Sequence, residues 1–292
     1  MITVWRLRDR EIRLDRPIIL GIVNVTPDSF SDGGRFLSAD AAVAHAERLV
    51  EEGADGLDVG GESTRPQGAT EVDADEERRR VLPVVRALRQ RFTAAVISVD
   101  TVKADVAAAA LAEGADALND VSAFRLDPRM AHICARERCG AILMHSRGTV
   151  SDMGTYRHAE YGADVTGAVM AELLGSVAAA RGAGVRDEAI VLDPGVGFAK
   201  RSEHSLRVLA ELPRLATLGF PVMVGASRKR FIGELTGVTE PAERVLGTVG
   251  ASVAALMRGA RLFRVHDVRP HRAALDVAWA VLGASPADGG SA

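Results

Sequence analysis

Aromatic residues make up only 4% of the 292-residue chain, and cysteine occurs twice, at Cys134 and Cys139. Two thiols cannot staple a disulfide scaffold of the secreted kind, and the pair reads as reduced, packed thiols of a cytoplasmic protein. Long apolar runs are missing too. None approaches the ~18 residues that a membrane span needs, and no signal-type apolar stretch follows Met1. Charge of one sign is scarce as well, with 36 basic residues against 39 acidic ones and a formal net charge of −3. A general nucleic-acid binder needs a basic excess, so any anionic ligand must be held by a local cluster of cations.

What the chain has in abundance is glycine, at 29 residues, within a 47% apolar content dominated by Ala, Val and Leu. Its length permits two small domains, but α/β barrels routinely use about 250 residues as one. A recurring phrase favours the single domain. Glu52-Gly53-Ala54-Asp55-Gly56-Leu57-Asp58-Val59 returns as Glu113-Gly114-Ala115-Asp116-Ala117-Leu118-Asn119 and as Arg258-Gly259-Ala260-Arg261-Leu262-Phe263-Arg264-Val265. Looser copies sit at Cys139-Gly140-Ala141 and Leu218-Gly219-Phe220. In each, a helical stretch ends on a glycine suited to the left-handed conformation just past a helix, and a short apolar strand follows.

Eight such strands can be counted: 18–23, 56–59, 96–99, 117–118, 141–144, 190–192, 221–224 and 262–265. Helical stretches separate them, and an eighth runs from about residue 269 to 282. Eight βα units argue for a closed (β/α)₈ TIM barrel rather than an open sheet. Residues 1–16 read as an N-terminal β-hairpin, either over the N-terminal end of the barrel or as a simple extension. The expected domain is 1–283, with 284–292 a loose tail too poor in apolar groups to pack.

Catalysis in such a barrel sits where the strands run out. Asn24, Asp58, Asp100, Asn119, His145, Asp193, Ser227 with Lys229, and Arg264 with His266 stand at or near those ends. Polar residues also end strands merely because loops are wet, but eight of eight favours a site. Asp100, Asn119 and Asp193 are acceptors suited to a heterocycle edge rich in N–H donors, as in a pterin or a guanine. Arg264, His266, Lys229 and Arg65 are donors suited to phosphate. Asn24 offers a neutral oxygen of the kind Mg²⁺ accepts when phosphates and waters complete its shell. The loops 24–34 and 60–68 carry end glycines and can serve either as lids or as ordinary connections. The cations Arg228, Lys229 and Arg230 at a helix start oppose its dipole, a conflict that a bound anion would relieve and that a solvated basic face would leave standing.

The blocks Gly21-Ile22-Val23-Asn24-Val25-Thr26-Pro27-Asp28-Ser29-Phe30-Ser31-Asp32-Gly33-Gly34 and Asp58-Val59-Gly60-Gly61-Glu62-Ser63-Thr64-Arg65-Pro66 resemble the two signatures of the bacterial dihydropteroate synthase family. Ser98–Thr101, Asn119–Val121, Met144-His145, Leu192–Lys200, Ser227–Arg230 and Arg264–Val268 match its other blocks in order, from about Thr3 to Leu282. The resemblance implies an enzyme, a transferase of folate biosynthesis. It joins 6-hydroxymethyl-7,8-dihydropterin pyrophosphate to p-aminobenzoate and releases pyrophosphate.

On this resemblance Asp100, Asn119 and Asp193 hold the pterin edge. Lys229 lies at its carbonyl side, and Val121, Met144 and Phe198 form apolar walls. Asn24 would bind magnesium, while Thr64, Arg264 and His266, with Arg65 nearby, would hold the pyrophosphate. Phe30 and Pro66 would flank the aminobenzoate ring. The carboxylate of that substrate would meet the helix start at Arg230, where many members carry Ser and the backbone N–H is common to both. Asp32 would stabilise a developing pterin methylene cation or order magnesium-bound water. A homodimer through outer helices of the C-terminal half is also implied.

Two other readings compete. A methyltetrahydrofolate:corrinoid methyltransferase barrel shares the pterin contacts but leaves both long loops and the 227–230 block without purpose. A non-catalytic pterin-binding paralogue keeps every ligand residue. His145 stays open between a structural hydrogen bond and a ligand role. His45, His132, His158, His204 and His271 read as surface or helix-face residues.

Overall fold

The computed structural model of the chain describes residues 3–25, 35–62 and 72–284, without the side chains of 35–38. It opens with an antiparallel hairpin, β1 (Val4–Leu7) and β2 (Arg10–Arg13), turned at Arg8 in the left-handed conformation. The strands β3 (Ile18–Asn24), β4 (Gly56–Gly60), β5 (Val96–Asp100), β6 (Ala117–Asp120), β7 (Gly140–Met144), β8 (Ile190–Asp193), β9 (Met223–Val224) and β10 (Leu262–Val265) form one parallel sheet. Its order is β8-β7-β6-β5-β4-β3-β10-β9, and a parallel bridge between Leu192 and Val222 joins its two ends. The sheet is a closed eight-stranded barrel, and the chain is a (β/α)₈ TIM barrel with an N-terminal hairpin.

The helices α1 (Arg35–Glu51), α2 (Ala74–Arg91), α3 (Ala104–Ala112), α4 (Arg129–Glu137) and α5 (Val165–Gly182) follow β3 to β7 in turn. After β8 come α6 (Ser202–Ala210) and α7 (Leu212–Ala216), after β9 come α8 (Arg230–Thr236) and α9 (Val245–Met257), and α10 (Val268–Gly283) follows β10. Among these described residues no helix is long and apolar enough to cross a membrane.

Side chains alternate between the two faces of each strand. Leu57, Val59, Ile97, Val99, Leu118, Leu143, Leu192 and Phe263 face the helices and join the main core. Their neighbours point inward. Leu20, Val96, Ala117, Ile142, Val191, Met223 and Leu262 form the apolar lower layer of the barrel, and Trp5, Leu7 and Leu14 of the hairpin pack beneath it. The hairpin is therefore a plug in the N-terminal end. Trp5 is fully buried, with its indole N–H donated to the Ala189 carbonyl at 2.9 Å. This contact needs a glycine opposite, because a Cβ on Gly140 would lie 2.2 Å from Leu7 Cδ2 and 2.9 Å from Trp5 Cζ2.

The repeated phrase acts as expected at Gly53, Gly114 and Gly259, whose φ values of 100°, 105° and 103° are the left-handed exits of α1, α3 and α9. The looser copy at Gly140 does not. Gly140 begins β7, and the left-handed residue after α4 is Arg138, with φ 54°. Cys134 and Cys139 are reduced and buried side by side at 3.4 Å. The tail beyond residue 284 lies outside the described residues.

Candidate active site

Above the apolar layer the inward positions turn polar. Asp58 is the middle residue of β4 rather than its end, and flanking Leu57 and Val59 face out, so its carboxylate enters the barrel. It is completely buried and accepts hydrogen bonds from Ser98 Oγ at 2.5 Å, Asn119 Nδ2 at 3.0 Å and Arg264 Nε at 2.5 Å. Arg264 also reaches Asp100 Oδ2 at 2.8 Å. One guanidinium thus ties together β4, β5 and β10, and two of its five donors are engaged by carboxylates. The sequence reading assigned Arg264 to pyrophosphate and gave Asp58 no role; period-two alternation around Leu57 and Val59 was the signal for Asp58.

Around this hub lie further acceptors. Asn119 Oδ1 is buried with no hydrogen-bond partner among the described residues. Asp193, the last residue of β8, is 2% exposed, and its Oδ1 accepts from the Gly195 N–H at 2.7 Å. Burial pushes its carboxyl up to about 6, against the pull of that N–H and of Lys229, Lys200 and Arg264. Burial likewise pushes Asp100 up to about 7; Arg264 opposes this, and the Asp58 charge adds to it. A ligand edge of N–H donors would satisfy Asn119 Oδ1 and add donors to the two buried carboxyls.

The apolar walls gather beside them. Val121, Met144 and Phe198 pack with Val102, Val150 and Met153 in one cluster at this end of the barrel. Lys229 Nζ sits 3.7 Å from the centre of the Phe198 ring. Ser227 Oγ receives the backbone N–H of His266 at 3.1 Å and lies 2.9 Å from its Nδ1, which fixes the imidazole orientation at the rim. Asn24, the last residue of β3, is half-buried opposite Gly60 and next to β10.

The basic run 228–230 is divided rather than shared. Arg228, left-handed at φ 58°, makes a two-point pair with Asp267 at 3.0 and 2.6 Å. Lys229 turns to Phe198, while exposed Arg230 lies over the Tyr156 ring at 3.9 Å and 3.8 Å from Glu234. The Arg230 side chain therefore belongs to an outer cluster with Tyr156 and Glu234. Phe30, Asp32, Thr64, Arg65 and Pro66 lie outside the described residues.

A second group has no role in the sequence reading. Lys200, at the end of the loop after β8, is 1% exposed, and burial lowers its ammonium to about 7. Its Nζ lies 2.8 Å from His145 Nδ1, and His145 Nε2 lies 3.1 Å from Glu172. Burial, with Lys200 adding to it, lowers the imidazole to about 4, so His145 is neutral and makes structural hydrogen bonds. A lysine closing a Gly-rich loop resembles any solvated loop lysine in sequence; only the fold brings it inside.

A closed barrel with a polar upper layer rich in acceptors and an apolar wall beside it suits an enzyme for a flat heterocycle that carries N–H donors. The comparisons agree: residues 20–266 match the family described as "Pterin binding enzyme". The dihydropteroate synthase of Mycobacterium leprae is 45% identical over 273 residues, covering 92% of this chain and 94% of that protein. The Xanthomonas albilineans dihydropteroate synthase solved with 4-aminobenzoic acid superposes with a TM-score of 0.89 at 47% identity, covering 98% and 100% of the two chains. The same enzyme solved in complex with 7,8-dihydropteroate gives 0.86 at 45% identity, covering 97% and 100%. The chain belongs to the pterin-binding enzymes, and within them to the dihydropteroate synthase family.

Proposed function

We propose that this chain condenses 6-hydroxymethyl-7,8-dihydropterin pyrophosphate with p-aminobenzoate, giving 7,8-dihydropteroate and pyrophosphate. The observation that carries this reading is the unpartnered, buried Asn119 Oδ1, with the buried Asp193 and Asp100 carboxyls near it, beside the Val121, Met144 and Phe198 wall. A pterin presents adjacent N–H donors on one edge and a flat face to the wall, so it relieves burial costs that an apolar ligand would leave in place.

In the reaction the C–O bond to pyrophosphate breaks, the aromatic amine forms the new C–N bond, and the amine proton leaves to water. The neutral amine is already a nucleophile, so the protein's work is positioning and charge stabilisation. Asp193 and Asn119 orient the ring, and Lys229, held against Phe198, meets its carbonyl side. Arg264 and His266 receive the leaving pyrophosphate, with Thr64 and Arg65 from the second loop. Phe30 and Pro66 would clasp the aminobenzoate ring, Arg230 N–H would face its carboxylate, and Asp32 would stabilise the methylene cation.

The donor set suits Mg²⁺ rather than a cation held wholly by the protein. No group of three or more His, Cys, Asp or Glu with metal-site geometry occurs among the described residues, and Asn24 supplies one neutral oxygen at the rim. Bound there with substrate phosphates and waters, the ion would neutralise charge on the departing pyrophosphate.

A homodimer in the cytoplasm completes the proposal. Leu246, Met257, Val277 and Val281 on α9 and α10 are large apolar residues left exposed. A groove of about 290 Å³ between α6, α8 and α9 is lined by Leu206, Leu209, Phe231 and Leu235. The test is incubation of the purified chain with Mg²⁺, the pterin pyrophosphate and labelled p-aminobenzoate. Labelled dihydropteroate above a protein-free control supports the reading. Folded protein that binds pterin but forms no product would instead be a non-catalytic paralogue.

A further inference from the structure

Lys200 closes the loop Asp193-Pro194-Gly195-Val196-Gly197-Phe198-Ala199-Lys200 after β8. Its ammonium donates to the Gly195 carbonyl at 3.1 Å, the Phe198 carbonyl at 3.2 Å and His145 Nδ1 at 2.8 Å, so all its protons are used. An imidazole that accepts at Nδ1 carries its proton on Nε2 and donates it to Glu172 Oε2 at 3.1 Å. Glu172, half-exposed on α5, is held in turn by Arg147 Nε at 3.1 Å from Oε1. A buried amino group is thus joined through a neutral ring to a carboxylate near the surface.

The loop is one that must be held. Gly195, Gly197 and Ala199 all take left-handed backbone, at φ 64°, 79° and 46°, and Ala199 does so with a Cβ. The loop also lies hard on the strand end, since a Cβ on Gly195 would fall 1.9 Å from the His145 carbonyl oxygen. Two groups assigned to the pterin depend on it. The Gly195 N–H fixes the Asp193 carboxylate, and the Phe198 ring backs Lys229. Lys200 grips the carbonyls of these same two residues, Gly195 and Phe198.

We propose that Lys200, with His145 and Glu172 behind it, is a positioning residue for the condensation: it holds Asp193 and Phe198 in the geometry that receives the pterin, without touching substrate. This deepens the synthase reading and rests on it.

The test is Lys200→Met, which keeps the length and apolar stem and removes the three hydrogen bonds. Pterin affinity is measured directly by calorimetric titration, alongside KM for each substrate. Pterin Kd and the KM for pterin pyrophosphate are expected to rise tenfold or more, with the KM for p-aminobenzoate within twofold. Glu172→Gln alters only the half-exposed end of the chain of bonds, and is expected to raise pterin Kd threefold or more with the same selectivity. If Lys200→Met does not fold, this second variant decides alone.

Pterin Kd within twofold of the parent in the folded variants overturns the proposal, as does an equal rise in both KM values. A parent chain that binds pterin but makes no dihydropteroate overturns the synthase reading while the binding comparison still judges Lys200. A parent that binds no pterin overturns both.

Discussion

Lowering the pH from 7.5 to 5 should weaken pterin binding through Asp193. Burial raises this carboxyl to about 6, and the ionised form is the one that accepts two N–H donors. Its ionised fraction falls from ~97% at pH 7.5 to ~9% at pH 5, so affinity drops roughly tenfold, about 1.4 kcal/mol. The stability of the ligand-free chain follows the opposite course. A carboxyl raised above its unfolded value of ~3.9 stabilises the fold fully below that value, and the contribution is lost as pH rises through about 6. Asp100, raised to about 7 by burial, extends that loss upward.

The assay is calorimetric titration of a pterin at both pH values, in buffers of different ionisation heat, so that proton release on binding is counted directly. Asp193→Asn separates this group from Asp100, and should bind about 100-fold more weakly, because truncating one partner of a buried charged contact costs about 2–5 kcal/mol. Its remaining pH dependence should lack the step near 6. Affinity that is equal at the two pH values, or tighter at pH 5, would refute the reasoning, as would near-normal binding by the Asn variant.

Three further outcomes follow from the structure. Arg264→Lys replaces a fork bridging Asp58 and Asp100 with a single ammonium, and should lower kcat about 100-fold in steady-state assays. Trp5→Ala removes the buried plug of the lower barrel and its bond to Ala189; denaturant unfolding should show a loss of about 3–5 kcal/mol with catalysis otherwise intact. Met257→Asp places a charge on the exposed apolar face of α9; on the proposed homodimer, sedimentation of the parent chain should show a dimer and of this variant a monomer.

The barrel was legible in the sequence because its units repeat: a helix, a left-handed glycine at Gly53, Gly114 or Gly259, and a short apolar strand. The polar strand ends were legible for the same reason, and Val121, Met144 and Phe198 do meet in one cluster. Contacts between distant strands were not. Asp58 reads as one more strand-end residue until alternation with Leu57 and Val59 turns it inward to meet Arg264, 206 positions away. Local charge misleads in the same way. The three cations at 228–230 look like one anion site, yet Asp267, Phe198 and Tyr156, none of them near in sequence, divide them. Lys200 shows the limit most plainly, since its burial depends on His145 and Glu172 from other elements.

The central claim is group transfer from a pterin pyrophosphate to an aromatic amine, and pyrophosphate release measured with and without p-aminobenzoate tests it most directly. The account predicts pyrophosphate formation that depends on p-aminobenzoate and equals dihydropteroate one for one. Release at the same rate without the amine would make the chain a hydrolase, and no release from folded, pterin-bound protein would contradict catalysis altogether.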